Sequence, residues 1–188
     1  ASYDTLAAQW HDKPPRHHSL RAIFEQSWQR LTPAQRDTLA QLAVFRGGFD
    51  AHAAQTVAAA THRDLGALYT RSLLQIPHRD PMRYDFHPVI AHYARACLAA
   101  DHPVHERHAR HCLGLAQMAY TDGTLTEAAQ RAKLGREREN IVAAWRWAID
   151  QPSTAIAAEH LVALARLLMA QGWLQAGRDL LAWSVAQW

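Results

Sequence analysis

The chain has 188 residues, 49% of them hydrophobic and 20% charged, with a formal charge of +3 and a sequence pI near 9.1. That composition excludes disorder and supplies apolar material for one large or two small domains, while the basic residues are spread along the chain rather than gathered into a nucleic-acid footprint. The most apolar helical run, LVALARLLMA, is interrupted by Arg166 and falls short of the roughly 18 residues a spanning helix needs, and Cys97 and Cys112 sit in apolar helical patterns with no secretory leader before them, which predicts a cytoplasmic setting with no membrane contact.

Residues 1–15 end in HDKPPR and read as a connector. Ser19 is placed to cap a helix whose apolar stripe is Leu20, Ile23, Phe24, Trp28 and Leu31. TPAQ then supplies a capping box, with Thr32 at the cap, Pro33 at the first helical position and Gln35 reaching back to the open backbone donor. It predicts a helix that carries Leu39, Leu42, Ala43 and Phe45 and stops at Gly47-Gly48, where a left-handed residue costs least. Asp50 and Asp64 each predict a cap for one more helix, the first through Val57 and Ala58, the second through Leu65, Leu68 and Tyr69. SLLQI and MRYDF flank PHRDP, whose prolines and Asp80 favour a turn, so the pair predicts a β-hairpin. His87 then opens a helix that starts at Pro88. Short helices followed by a two-stranded wing give the outline of a winged helix-turn-helix over 16–100.

From Asp101 the pattern is purely helical. One helix, from Val104 to Tyr120, carries Cys112, Leu115, Ala116 and Ala119 and ends near TDG, and LTEAAQRA is a short one. GREREN leads into a stripe of Ile141, Ala144, Trp145, Ala148 and Ile149; Ser153 is placed to cap the next helix, through Leu161, Leu164, Ala165 and Leu168; and QGW breaks it before a last helix bearing Leu180, Leu181 and Trp183. Helix pairs joined by short turns predict a tetratricopeptide-like α-helical segment over 101–188, truncated and therefore ending in an exposed apolar edge that includes Trp183 and Trp188 and favours self-association. Trp28, Trp145 and Trp147 read as packing residues rather than a ligand cage. The fold class expected is mainly α with one small hairpin.

The run SLRAIFEQSWQRLTPAQRDTLAQLAVFRGGFDAHAAQTV, then LYTRSLLQI, then YDFHPVIAHYARACL resembles the winged-helix segment of bacterial STAND-class, NB-ARC-related signalling ATPases that act as transcriptional regulators. RHARHCLGLAQMA, ERENIVAAWRWAID and GWLQAGRDLLAWSVAQ resemble the start of the helical repeats that follow in that family. The resemblance implies an upstream P-loop ATPase domain, further repeats downstream, a protein or small-molecule inducer, and ADP or ATP as ligand of the whole protein. It also implies that His87 is a nucleotide-sensing residue facing bound ADP in the inactive state. The family often has aspartate after that histidine, where this chain has Pro88, so the aspartate's role does not carry over.

Within the chain itself no GxxxxGK[ST] occurs, so no cofactor is expected to be held by these residues alone, and no GxSxG, catalytic triad or carboxylate pair argues for an enzyme. His102, His105, His108 and His111 recur at three-residue steps, but the series drifts around a helix and lacks the convergent ligands of a zinc site, so no metal is expected. The rival reading is a DNA-binding winged-helix transcription-factor domain, with Arg71, Arg79 and Arg83 on phosphates. Against it, DLGALYTRS offers few base-reading side chains, and Asp80 and Asp85 lie beside the wing arginines.

Overall fold

The computed structural model describes residues 25–79, 81–121 and 127–187. The connector 1–15, the Ser19-capped start of the first helix, Asp80, most of the break at TDG and Trp188 lie outside the described residues. Among the described residues the chain is mainly helical with one two-stranded antiparallel sheet, and it divides into two compact units between Val104 and His105. Among the described residues no helix is long and apolar enough to cross a membrane.

In the first unit a helical stretch at 25–29 precedes α1 (Pro33–Leu42), α2 (Ala51–Ala58), α3 (His62–Thr70), β1 (Gln75–Arg79), β2 (Met82–Asp85) and α4 (Pro88–Ala96). α1 packs against α2, α3 and α4 and lies at the centre, with Leu39 and Leu42 fully buried beside Phe49, Val57, Leu65 and Leu68. The expected capping box is present: Gln35 N–H donates to Thr32 Oγ1 at 3.2 Å and Thr32 N–H to Gln35 Oε1 at 3.1 Å. α1 ends at Leu42 rather than at the glycines. Val44 and Phe45 wind on in tighter turns, bonding to the carbonyls of Gln41 and Leu42, while Arg95 takes the Ala43 and Phe45 carbonyls at 2.9 and 3.1 Å.

Gly47 and Gly48 have φ of 77° and 81°, and a Cβ on Gly48 would lie 2.8 Å from the Tyr84 carbonyl oxygen. The turn they make delivers Phe49 to β2, where it and Tyr84 exchange backbone hydrogen bonds of 2.9 and 2.8 Å. The Phe49 ring stacks on Phe45 at 4.8 Å and on Tyr84 at 6.1 Å. Asp50 caps α2 as expected, accepting from Ala53 N–H at 2.7 Å. Asp64 is not the cap of α3: Thr61 is, and Asp64 is the third helical residue of a capping box, accepting from Thr61 N–H at 2.9 Å. β1 also runs further than the turn-rich PHRDP predicts. It continues through Pro77 to Arg79, which pairs with Met82, and a bulge between Gln75 and His78 accommodates the residue that has no N–H to give.

The second unit comprises α5 (Val104–Thr121), which begins at the boundary, α6 (Glu127–Arg136), α7 (Arg138–Ile149), α8 (Ala155–Ala170) and α9 (Leu174–Gln187). α7, α8 and α9 each pack against the other two, and α6 packs against α7. The predicted α7 stripe, Ile141, Ala144, Trp145, Ala148 and Ile149, is buried. Trp145 Nε1–H donates to Ser184 Oγ at 2.8 Å, and Ser184 in turn donates to the Leu180 carbonyl at 2.8 Å, so a buried polar chain fixes α9 on α7. Ser153 does not cap α8; the cap position is Thr154, whose φ of −81° and ψ of 11° are not the extended geometry a side-chain cap requires, and it makes no such bond. Gly172, with φ of 69°, ends α8. Its N–H and that of Trp173 return to the carbonyls of Met169 and Leu168 at 3.1 and 2.9 Å, a Schellman motif. Gly177 lets α9 approach α8, since a Cβ there would lie 3.0 Å from Leu168 Cδ1. Trp183, expected on an exposed edge, is instead partly buried against the core cluster.

Candidate functional site

In the first unit a groove of about 680 Å³ lies between the end of α3, the start of β1 and the first turn of α4, and His87 lines it. α3 ends here in the same motif that closes α8: Ser72 N–H reaches the Tyr69 carbonyl at 2.8 Å and Leu73 N–H the Leu68 carbonyl at 3.0 Å. The left-handed position is held by a serine, at φ of 57°, where α8 has Gly172. A side chain in that region costs roughly 1–2 kcal/mol, so the strain falls in the groove wall. Leu73, Leu74 and Ile76 with Val89 and Ile90 supply apolar lining; Ser27, Tyr69, Thr70, Ser72, Gln75, Arg71 and His87 supply polar groups, and among the described residues none of the lining side chains is a carboxylate. The wall thus suits a ligand with an apolar body and an anionic or carbonyl-bearing end.

His87 is exposed and is the cap of α4, with Nδ1 accepting from Val89 N–H at 3.4 Å. With Nδ1 an acceptor, the neutral ring carries its proton on Nε2. Pro88 fills the first helical position, where no donor is needed. The same tripeptide recurs: in His102-Pro103-Val104, His102 Nδ1 accepts from Val104 N–H at 3.1 Å at the start of α5. The repeated His-Pro-Val was readable in the sequence and identifies a local capping device; only the His87 copy lines the groove.

Of the arginines read as phosphate contacts, Arg71 is exposed at the end of α3, donates to the Ala67 carbonyl at 3.1 Å and lines the groove. Arg83 is 6% exposed and donates to the Gly48 carbonyl at 3.0 Å. Its guanidinium is taken up in holding the glycine turn, which removes it from the surface a duplex would reach. The side chain of Arg79 lies outside the described residues. Arg95, which the sequence does not single out, is drawn well down, to about 10, by burial first and by Arg46 second, with Asp85 acting in the opposite sense; it remains charged at neutral pH. Arg83 and Arg95 together hold four carbonyls of the segment from Ala43 to Gly48. Among the described residues no group of three or more His, Cys, Asp or Glu side chains converges as a metal site would require.

No protein-family model, no curated protein and no solved structure matches the chain.

Proposed function

We propose that the chain is a regulatory segment of a bacterial STAND-type signalling ATPase, in which a winged helix couples the nucleotide state of an upstream ATPase domain to tetratricopeptide-like sensor repeats. The observation that carries this reading is the place of His87: it opens α4 directly after the hairpin, at a helix N-terminus whose partial positive charge favours a phosphate, and it lines a groove in which no described lining residue is a carboxylate. The helix order of the first unit, with α1 central and a hairpin before α4, is compatible with a winged helix. The mutual packing of α7, α8 and α9 is compatible with one helix pair of a repeat array and the first helix of the next.

In this reading the role of the chain is regulatory, and nucleotide chemistry belongs to the domain upstream. His87 serves as nucleotide sensor toward ADP, and an inducer, protein or small molecule, acts through the repeats. The test is ADP binding by the full-length regulator. His87→Ala is expected to weaken ADP about tenfold or more and to raise basal output, since a lost hydrogen bond to a charged group is worth about 1.5–3 kcal/mol. Unchanged ADP affinity and unchanged output would reduce His87 to the capping role it shares with His102, and the absence of a P-loop upstream of Ala1 would overturn the class.

A further inference from the structure

In the second unit, the guanidinium of Arg138 lies over the Trp173 ring at 5.0 Å and that of Arg146 over the Trp183 ring at 5.7 Å. The indoles pack against the core cluster, so each arginine is laid on a fixed platform. Two structural features hold those platforms. The Schellman turn at Gly172 sets Trp173, and the Trp145–Ser184 bond sets the neighbouring Trp183. Because Arg138 meets the start of α9 and Arg146 its end, α7 and α9 run parallel across this face. Both arginines are exposed, and among the described residues neither guanidinium makes a hydrogen bond or an ion pair. A guanidinium held over an aromatic face with no other partner has its N–H groups available for bidentate contact with a carboxylate.

Eight helical residues separate the two arginines, about 12 Å along the axis, and partly buried Val142 lies midway on the same stripe. Four residues of extended chain span about 13 Å and return to the same side. From this match of spacing and charge we propose that the α7–α9 face binds an extended acidic peptide segment, with carboxylates at positions i and i+4 seated on Arg138 and Arg146 and an intervening side chain against Val142. Nucleic acid fits less well. Single strands gain affinity by stacking bases on aromatic faces, and here those faces carry guanidiniums on one side and the core on the other. The proposal does not depend on the class assigned above.

The experiment uses the whole 188-residue chain and a labelled, acetylated and amidated peptide, Ser-Glu-Thr-Ser-Thr-Glu-Ser, read by fluorescence anisotropy at low and moderate salt. Binding is expected that weakens with salt, that falls about tenfold or more when both glutamates become glutamine, and that falls similarly when the two glutamates are adjacent. Arg138→Gln and Arg146→Gln are each expected to weaken it by about tenfold with the far-UV circular dichroism unchanged. Should a glutamine variant lose helix, Arg146→Lys decides, because it keeps charge and stem but not the planar fork; reduced affinity supports the proposal and full affinity overturns it. Equal affinity for the glutamate and glutamine peptides, no binding at about 1 mM peptide, or tighter binding of an oligothymidylate that displaces the peptide would each overturn it, the last in favour of a nucleic-acid surface.

Discussion

Two pairs of arginines, one pair in each unit, are put to different use. In the first, guanidiniums donate to backbone carbonyls far away in sequence: Arg83 reaches Gly48 across 35 positions, and Arg95 reaches Ala43 and Phe45 across 52 and 50. In the second, Arg138 and Arg146 lie over tryptophans and, exposed, make no side-chain hydrogen bond among the described residues. The difference follows from what each fold leaves unsatisfied. An irregular stretch between α1 and α2 exposes carbonyls that no helix ladder uses, whereas stacked helices satisfy their own backbone and offer aromatic surface instead. Arg83 and Arg95 therefore close the first unit's framework, whereas Arg138 and Arg146 sit as open forks on the second.

The contrast can be broken at several places. The largest effect is expected in the second unit, from Trp145→Ala, which removes a fully buried ring together with the bond to Ser184; it should cost about 4 kcal/mol in urea unfolding, with amide exchange rising first in α7 and α9. Next comes the paired comparison of the arginines. Arg95→Met strands two partly buried carbonyls and is expected to cost about 2 kcal/mol. Arg146→Met loses only an exposed cation–π contact and should cost about 0.5 kcal/mol. Equal losses would erase the distinction between framework and open fork. Ser72→Gly is expected to stabilise the first unit by about 1 kcal/mol, since it relieves a left-handed serine where α8 already has glycine; no gain would mean the serine side chain contributes a compensating contact in the groove.

The smallest effect is at the start of α3. Asp64 is held below the usual carboxylate range, first by the Thr61 hydroxyl and then by the Thr61 N–H. A depressed folded-state value means the charged form is favoured by folding, so the contribution is present at neutral pH and is lost as pH falls through the carboxylate range. Asp64→Asn should cost about 0.5 kcal/mol at neutral pH, nothing in acid, and flatten the pH dependence of α3 exchange protection. A pH profile unchanged by the substitution would remove Asp64 from that dependence.

What the sequence made legible was set by distance along the chain. The Thr32, Pro33 and Gln35 box, the Asp50 cap and the α7 stripe depend on neighbours three or four residues apart, and they stand where the pattern puts them. Thr61 and Asp64 were readable as the same Thr-x-x-acid signature, and only the end carrying the cap was misplaced. The end of α1 was not legible, because the side chain that takes the carbonyls just beyond it, Arg95, belongs to α4. The burial of Arg83 was hidden for the same reason, since its partners are the glycines before α2. At the candidate site the sequence marked His87 and Arg71, but the groove that joins them needs α3, β1 and α4 to be brought together. The Arg–Trp ladder likewise rests on pairings 35 and 37 positions long, as the numbering of Arg138 with Trp173 and Arg146 with Trp183 shows.

Pro77 has a consequence of another kind. β2 is paired on one side with β1 and touched on the other by Phe49, but β1 has no second neighbour among the described residues. An open strand edge is a template on which a foreign chain can add itself, and the usual safeguards are proline, a bulge and short length. β1 has all three: five residues, an exposed Pro77 and a bulge between Gln75 and His78. The irregularity that makes the hairpin a poor ladder also makes it a poor seed for aggregation, so replacing Pro77 by valine would regularise the strand and, in crowded solution, let separate molecules zip together.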